Sequence, residues 1–400
     1  MRNIQRMQKI TADIVYPITS SAISNGLILT DDAGKIKDIL SPNHPEYASA
    51  IENAQTYKGI ICPGFVNTHC HIELSHLRGK VNEHLGLNGF ITQLQKIRNS
   101  SDDEILQAIS DAENEMIQNG IVAVGDICNG INSLQQKQKG NLYYHSFIEL
   151  FGFDETKADE IFVRGKAVFN SFSESSLSAS ITAHAPYSTS KKLMQLIARH
   201  CYINKKAMSI HNQESEEENK LFFSKTGKMV EMLTNFGFDL SNWKAIGKSS
   251  LPSYMNDVQT KQNILLVHNT FTSQQDIEWA ATHIDNAAKN LFWCFCPNAN
   301  LYIENRLPDC MNFVNAQQQI TLGTDSLASN HQLSIWEEIK TITTHFPSIA
   351  LETLLQWATQ NGANYLGIEN KFGSLEKGKT PGLNLIENMG EKNASVKKIM

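Results

Sequence analysis

The stretch that decides the fold is residues 63–79, PGFVNTHCHIELSHLRG. A Pro-Gly turn opens it, an apolar run follows, and the run ends on two histidines, His69 and His71, one residue apart, before a closing Gly. In an extended strand the side chains of residues i and i+2 share a face, so both imidazoles converge on one point. That point is a candidate metal site. A single His-x-His among 13 histidines decides little, and its weight depends on what stands at the ends of later strands.

Outward from this stretch, residues 60 to 365 alternate apolar runs of strand length with longer helical stretches, the mark of parallel βαβ units. Eight runs are present: ICPGFVN (61), IVAVGD (121), YYHSFIEL (143), ASITAHA (179), AMSIH (207), ILLVH (264), LFWCFC (291) and QITLGTD (319). Between them, residues 102–118, 191–200 and 277–288 repeat apolar positions at three and four, as amphipathic helices do. Eight is the number of a (β/α)₈ barrel, which takes roughly 250 residues and leaves material for a small appended domain. A doubly wound open sheet is the structural rival, but it normally carries a Gly-rich phosphate turn, which this chain lacks. Long connections after the first run and after His211 predict loops over the barrel mouth.

The termini read differently. SNGLILT, DDAG and KIKDIL form a hairpin pattern, and residues 372–387, FGSLEKGKTPGLNLIE, again alternate turns with short apolar pieces. The expected architecture is α/β: a TIM-like barrel over residues 59–365, with a small β-sandwich domain built from residues 1–58 and 366–400.

Composition excludes some functions. Net charge is −6, with 41% hydrophobic and 19% charged residues, so there is no basic field for nucleic acid. Nowhere do 18 apolar residues run together, and the first 20 residues hold no apolar signal core, so a soluble cytoplasmic protein without a membrane partner is expected. Seven cysteines at irregular spacing make no disulfide framework, and Cys294 and Cys296 are expected on opposite sides of one buried strand.

The fifth, sixth and eighth runs also end in ligand-type residues: His211 in SIHNQE, His268 in LLVHN and Asp325 in LGTDS. Barrel strands open their C-terminal ends at one mouth, so residues 69, 71, 211, 268 and 325 are expected to meet. Three imidazoles and a carboxylate with an open position suit one divalent ion, Zn²⁺ first and Fe²⁺ second, which lowers the pKa of a bound water toward 7. Glu214, three residues beyond His211, is the candidate proton carrier. Its neighbours Glu216, Glu217 and Glu218 equally suit the positive end of a solvated helix.

PGFVNTHCH, SIHNQE, VHN, GTDS and the tail GSLEKGKTPGLNLI resemble the amidohydrolase superfamily over nearly the whole chain. The resemblance implies that His69, His71, His211 and Asp325 are ligands of the mononuclear branch, that Glu214 is its proton shuttle, and that His268 orients the attacking hydroxide. The fourth run ends ITAHAPYS, without the lysine of binuclear members, so one metal is implied. HAPYS, VGDICN, CPNANLYIENRLPD and GTDSLASN are similar to the segments of deaminases acting on aminofutalosine, methylthioadenosine and adenosylhomocysteine. This implies hydrolytic removal of an amino group from an aminopurine nucleoside by metal-bound hydroxide. His184 and Asn300 are the first candidates for substrate contacts, with Arg78 and Glu73 behind them. GLNGFITQLQ offers no glutamate to hold ribose hydroxyls, a departure from the methylthioadenosine group. The competing expectations are a C–N or C–Cl hydrolase for guanine, a pyrimidine or a triazine, and a non-catalytic barrel scaffold. A homodimer is the base-rate expectation.

Overall fold

The computed structural model describes residues 7–258, 261–391 and 393–400. Its first strands are β1 (Gln8–Val15), β2 (Ile23–Ser24), β3 (Leu27–Thr30), β4 (Ile36–Leu40) and β5 (Gln55–Pro63). The hairpin of β3 and β4 is held by Asp31, whose Oδ1 accepts the backbone N–H groups of Ala33 and Lys35 at 3.1 and 3.0 Å. Gly34 takes φ +76° beside them, a left-handed turn that glycine adopts without a Cβ clash.

Each of the eight apolar runs holds a strand: β6 (Phe65–Cys70), β7 (Ile121–Cys128), β8 (Tyr143–Leu150), β9 (Ser178–Ala183), β10 (Met208–Asn212), β11 (Ile264–His268), β12 (Leu291–Phe295) and β13 (Gln319–Leu322), although the first run is split at Gly64, its residues 61–63 ending β5. They are apolar without alternation because both faces are covered, which is the condition of a parallel sheet. They pair in parallel as two four-stranded sheets, β6-β7-β8-β9 and β10-β11-β12-β13.

Both junctions between these sheets are bridged. At one, Thr182 Oγ1 on β9 donates to the carbonyl of Ser209 on β10 at 2.5 Å and accepts its N–H at 2.9 Å, and His211 N–H reaches the His184 carbonyl at 2.9 Å. At the other, the N–H groups of Thr324 and Asp325 donate to the His69 carbonyl at 3.0 and 3.1 Å, and Asn67 holds Thr324 through two further hydrogen bonds. Gly323 is required here: a Cβ on it would lie 2.8 Å from His69 Cβ and 2.9 Å from Cys294 Sγ.

Helices Asp102–Gln118, Ala158–Glu174, Lys191–Asn204 and Ile335–His345 pack their apolar sides on the outer faces of these strands. The inner faces meet in a second cluster that includes Val66, Phe147, Val267 and Phe292. Cys294 and Cys296 are not on opposite sides. Residues two apart on a strand share a face, and their Sγ atoms lie 3.9 Å from each other.

The chain ends with β14 (Leu383–Glu387) and β15 (Ser395–Lys398), and both join the N-terminal strands in one mixed seven-stranded sheet, β15-β14-β5-β1-β3-β4 with β2 on β1. The two termini therefore do pair. What they form among the described residues is a single continuous sheet where a two-sheet sandwich is expected, because β5 bridges the halves by pairing with β1 on one side and β14 on the other. Among the described residues no helix is long and apolar enough to cross a membrane.

Candidate active site

His69 lies in β6, with His71 one residue past its end. His211 is in β10, His268 ends β11, and Asp325 follows β13. All five are buried or nearly so and face one another. The Nε2 atoms of His69 and His71 are 3.1 Å apart, and each faces Asp325 Oδ1, at 3.5 and 3.4 Å. The His211 ring centroid lies 4.9 Å from that of His69 and 5.5 Å from that of His71, and the His268 centroid lies 5.7 Å from His69.

Two of these residues reach their places through strained backbone. His268 and Asp325 take φ +75° and +57°, a region that non-glycine side chains rarely adopt and that costs about 1–3 kcal/mol apiece. The turn swings each side chain inward from the end of its strand.

The electrostatics favour ligands over charged histidines. Burial pushes the pKa values of His71 and His211 down, and that of His268 to about 4, so these rings are neutral at ordinary pH with nitrogen lone pairs available. Burial works to raise the Asp325 carboxyl, but the His69 hydrogen bond and the surrounding imidazoles outweigh it, and Asp325 sits well below the usual carboxylate range. Glu214 is the opposite case. Burial first, then the negative charge of Asp325, holds its carboxyl well above the ordinary value, so it can carry a proton near neutral pH.

These residues fit a divalent ion. Two nitrogens bound to one zinc at about 2.0–2.1 Å stand roughly 3 Å from each other, which is the separation of the His69 and His71 Nε2 atoms. Without an ion, those two acceptors would share at most one proton. His69, His71 and His211 form one triplet, and His69, His268 and Asp325 another, whose ligand atoms lie within 4.8 Å of one another.

The shells around the cluster fix its geometry. His211 Nδ1 donates to the His184 carbonyl at 2.9 Å, leaving Nε2 for the centre. His268 Nδ1 faces Asn300 Oδ1 at 3.3 Å and its Nε2 faces Glu214 Oε1 at 3.6 Å. Glu214 is positioned by Glu218, whose carboxylate accepts the backbone N–H groups of Gln213 and Glu214 at 3.0 and 3.2 Å. Asp325 Oδ2 accepts from Ser329 Oγ at 2.5 Å.

A cavity of about 80 Å³ sits over the cluster, with His71, His184, His211, Glu214, His268 and Asp325 on its floor and sides. Its opposite wall is apolar, with Leu87, Phe90, Ile91 and Leu94 of the helix Gly86–Ile97.

Three expected substrate contacts do not line this cavity. Arg78 is turned outward and paired with Glu115. Glu73 is spent on the backbone N–H of Asn129 and the hydroxyl of Ser133, at 3.0 and 3.2 Å. Asn300 is turned toward His268 and donates to its carbonyl and to Thr270 Oγ1, at 3.3 and 2.6 Å. Only His184 of the four reaches the cavity. Sequence reasoning missed Glu149, Ser329 and the apolar wall. Glu149 stands next to last in the run YYHSFIEL, as His69 and His211 stand next to last in their strands, which was the available signal.

A parallel α/β scaffold with a His/Asp cluster gathered at its strand ends is the build of a metallohydrolase. A model of the amidohydrolase family matches residues 60–400, and the chain belongs to that family. Over 382 residues it is 27% identical to the 5-methylthioadenosine/S-adenosylhomocysteine deaminase of Bacillus cereus strain AH820, covering 90% of this chain and 80% of that one. The crystal structure of Helicobacter pylori aminofutalosine deaminase in complex with methylthio-coformycin superposes with a TM-score of 0.81 at 21% identity, over 95% of this chain and 92% of that one. An adenosine deaminase from Xanthomonas campestris with bound zinc gives a TM-score of 0.72 at 19% identity, over 96% and 85% of the two chains.

Proposed function

We propose that the protein is a hydrolytic deaminase that removes the ring amino group of an aminopurine nucleoside as ammonia. The observation that carries this reading is the convergence of three histidine nitrogens, the Asp325 carboxylate and the protonatable Glu214 at the floor of one cavity. The sequence relative named as a methylthioadenosine/adenosylhomocysteine deaminase supports the substrate class. His69, His71, His211 and Asp325 would hold a single divalent ion, with zinc favoured by the His/carboxylate donor set. When bound, that ion acidifies water toward neutral pH.

Glu214 takes a proton from the attacking water and delivers it to a ring nitrogen of the purine, which makes the adjacent amino-bearing carbon electrophilic. With Nδ1–H directed at Asn300 Oδ1, neutral His268 presents the Nε2 lone pair beside Glu214, where it orients the attacking water by accepting one of its hydrogens. The second proton leaves with the amine. His184, whose Nδ1 is paired with Ser188 Oγ at 2.6 Å, offers its other nitrogen to the substrate.

In the same reading the two parallel sheets are halves of one (β/α)₈ barrel, residues 59–365, supported by the hydrogen bonds at both junctions. Residues 1–58 and 366–400 form the composite domain together with residues 59–63, which continue β5 of the terminal sheet into the span expected of the barrel. The test is ammonia release by the zinc-loaded protein across adenosine, methylthioadenosine, adenosylhomocysteine, aminofutalosine, guanine, cytosine and an aminated triazine. Turnover of the nucleosides is expected, and turnover confined to the last three would overturn the assignment. Glu214→Gln should keep its metal and lose about 10²–10⁴ of kcat.

A further inference from the structure

Glu149 lies near the end of β8, inside the ring of strands, and no step above uses it. Its Oε2 accepts from Asn129 Nδ2 at 2.9 Å. Asn129 is itself fixed, since its backbone N–H goes to Glu73 Oε2 at 3.0 Å and its Oδ1 accepts from Arg98 Nη2 at 2.8 Å. The other oxygen, Oε1, is buried and has no hydrogen-bond partner among the described residues. It stands 3.6 Å from His211 Nδ1, the nitrogen that already donates to the His184 carbonyl. Ligand atoms of Glu149, His184 and His211 lie within 4.8 Å of one another.

A buried carboxylate oxygen with no donor is costly, and folds keep one only where something offsets it. Here the compensation lies across the imidazole. Three neutral histidines and Asp325 leave a dication only half balanced, and in a dry site the imbalance is felt strongly.

We propose that Glu149 is a positioning residue of the metal centre. Its free oxygen backs the Nδ1 edge of His211, keeps Nε2 of that ring turned toward His69 and His71, and supplies the second negative charge that a bound dication requires. The inference rests on the metal reading of the site. It adds a residue from a strand that contributes no ligand, and it explains why Asn129, Arg98 and Glu73 are tied together behind the cluster.

The experiment is a zinc titration of the metal-stripped protein against a chromophoric chelator, for the unsubstituted chain, Glu149→Gln and Glu149→Asp, with the melting temperature of each stripped form measured alongside. Glu149→Gln should bind zinc about 10–100-fold more weakly, Glu149→Asp should fall between, and the stripped Gln form should melt no lower than the unsubstituted one. A merely structural glutamate would lower the melting temperature and leave zinc affinity alone, and that result overturns the inference. If the Gln form does not fold, unchanged affinity in Glu149→Asp overturns it equally. Failure of the unsubstituted protein to take up zinc would overturn the metal reading, and this inference with it.

Discussion

Asp325 uses its two oxygens differently: Oδ1 faces His69 and His71, while Oδ2 is committed to the Ser329 hydroxyl. The hydroxyl fixes which lone pairs turn inward, so Ser329→Ala should weaken metal binding or activity by about 10–100-fold although it touches no substrate. Metal content and kcat/KM of the purified variant check this. His184 is bound differently, by its Nδ1 to Ser188 and by an edge facing the cavity. His184→Ala should therefore raise KM or lower kcat/KM with the metal retained, whereas metal loss would make it a ligand. At this scale the cluster was legible because residues at or just beyond the C-terminal ends of parallel strands gather on one side whatever their neighbours are. Ser329 and the turn of Asn300 toward His268 were not, because each acquires its meaning from a partner on another element, and Glu149 left a sign of its place but none of its role. Asn300 sits in PNAN, where sequence gives no reason for the amide to choose His268 over the cavity.

Among the elements, the helix Gly86–Ile97 has the clearest consequence. It lays Leu87, Phe90, Ile91 and Leu94 over a space of about 80 Å³, whereas sites for small ligands take roughly 300–1,000 Å³. A nucleoside needs a wider space than this, and the helix is the wall expected to move. Its approach holds hinge material, with His84 and Gly86 at φ +59° and +66°, and its start is tied down by Glu304 Oε1 accepting from Leu87 N–H at 2.7 Å. Amide exchange over residues 79–97 should be fast in the free protein and slow with a tight-binding nucleoside analogue, and equal exchange in the two would remove the gating role. A second element carries a pH signature. Glu338, in Ile335–His345, accepts from Asn298 and Asn330, and burial raises its pKa from 4.5 to about 8. The folded state therefore holds this proton more tightly than the unfolded chain, so the group's contribution to stability is full below about pH 4.5 and is lost as pH rises toward 8. Glu338→Gln should flatten the fall in melting temperature across that window. Strands were easy to read in the sequence because double-sided burial writes itself as an unbroken apolar run. The pairing of the termini was legible, but not the single sheet they form, since that depends on β5 joining both ends of the chain.

Across the whole molecule, the cluster joins residues 69, 71, 211 and 325, which lie on or just beyond β6, β10 and β13, near both junctions between the two sheets. An ion held there braces the strand ends against one another, and Gly323 lets the last strand approach the first closely enough for this. Binding to the folded state alone stabilises it by RT ln(1 + [L]/Kd), about 4 kcal/mol at a thousandfold excess over Kd, so stripping the metal should lower the melting temperature by several degrees. Gly323→Ala should push β6 away from β13 and reduce metal occupancy even where the fold survives. The parallel strands and the meeting of their terminal residues could be read from eight runs, but the apolar cover could not, because it comes from the helix Gly86–Ile97, whose place over the cluster no local pattern specifies. The most direct test of the account is an anomalous difference map at the zinc edge from crystals of the zinc-loaded protein. One peak within coordination distance of His69 Nε2, His71 Nε2, His211 Nε2 and Asp325 Oδ1 is the predicted result, and a map with no peak among those four atoms would contradict it.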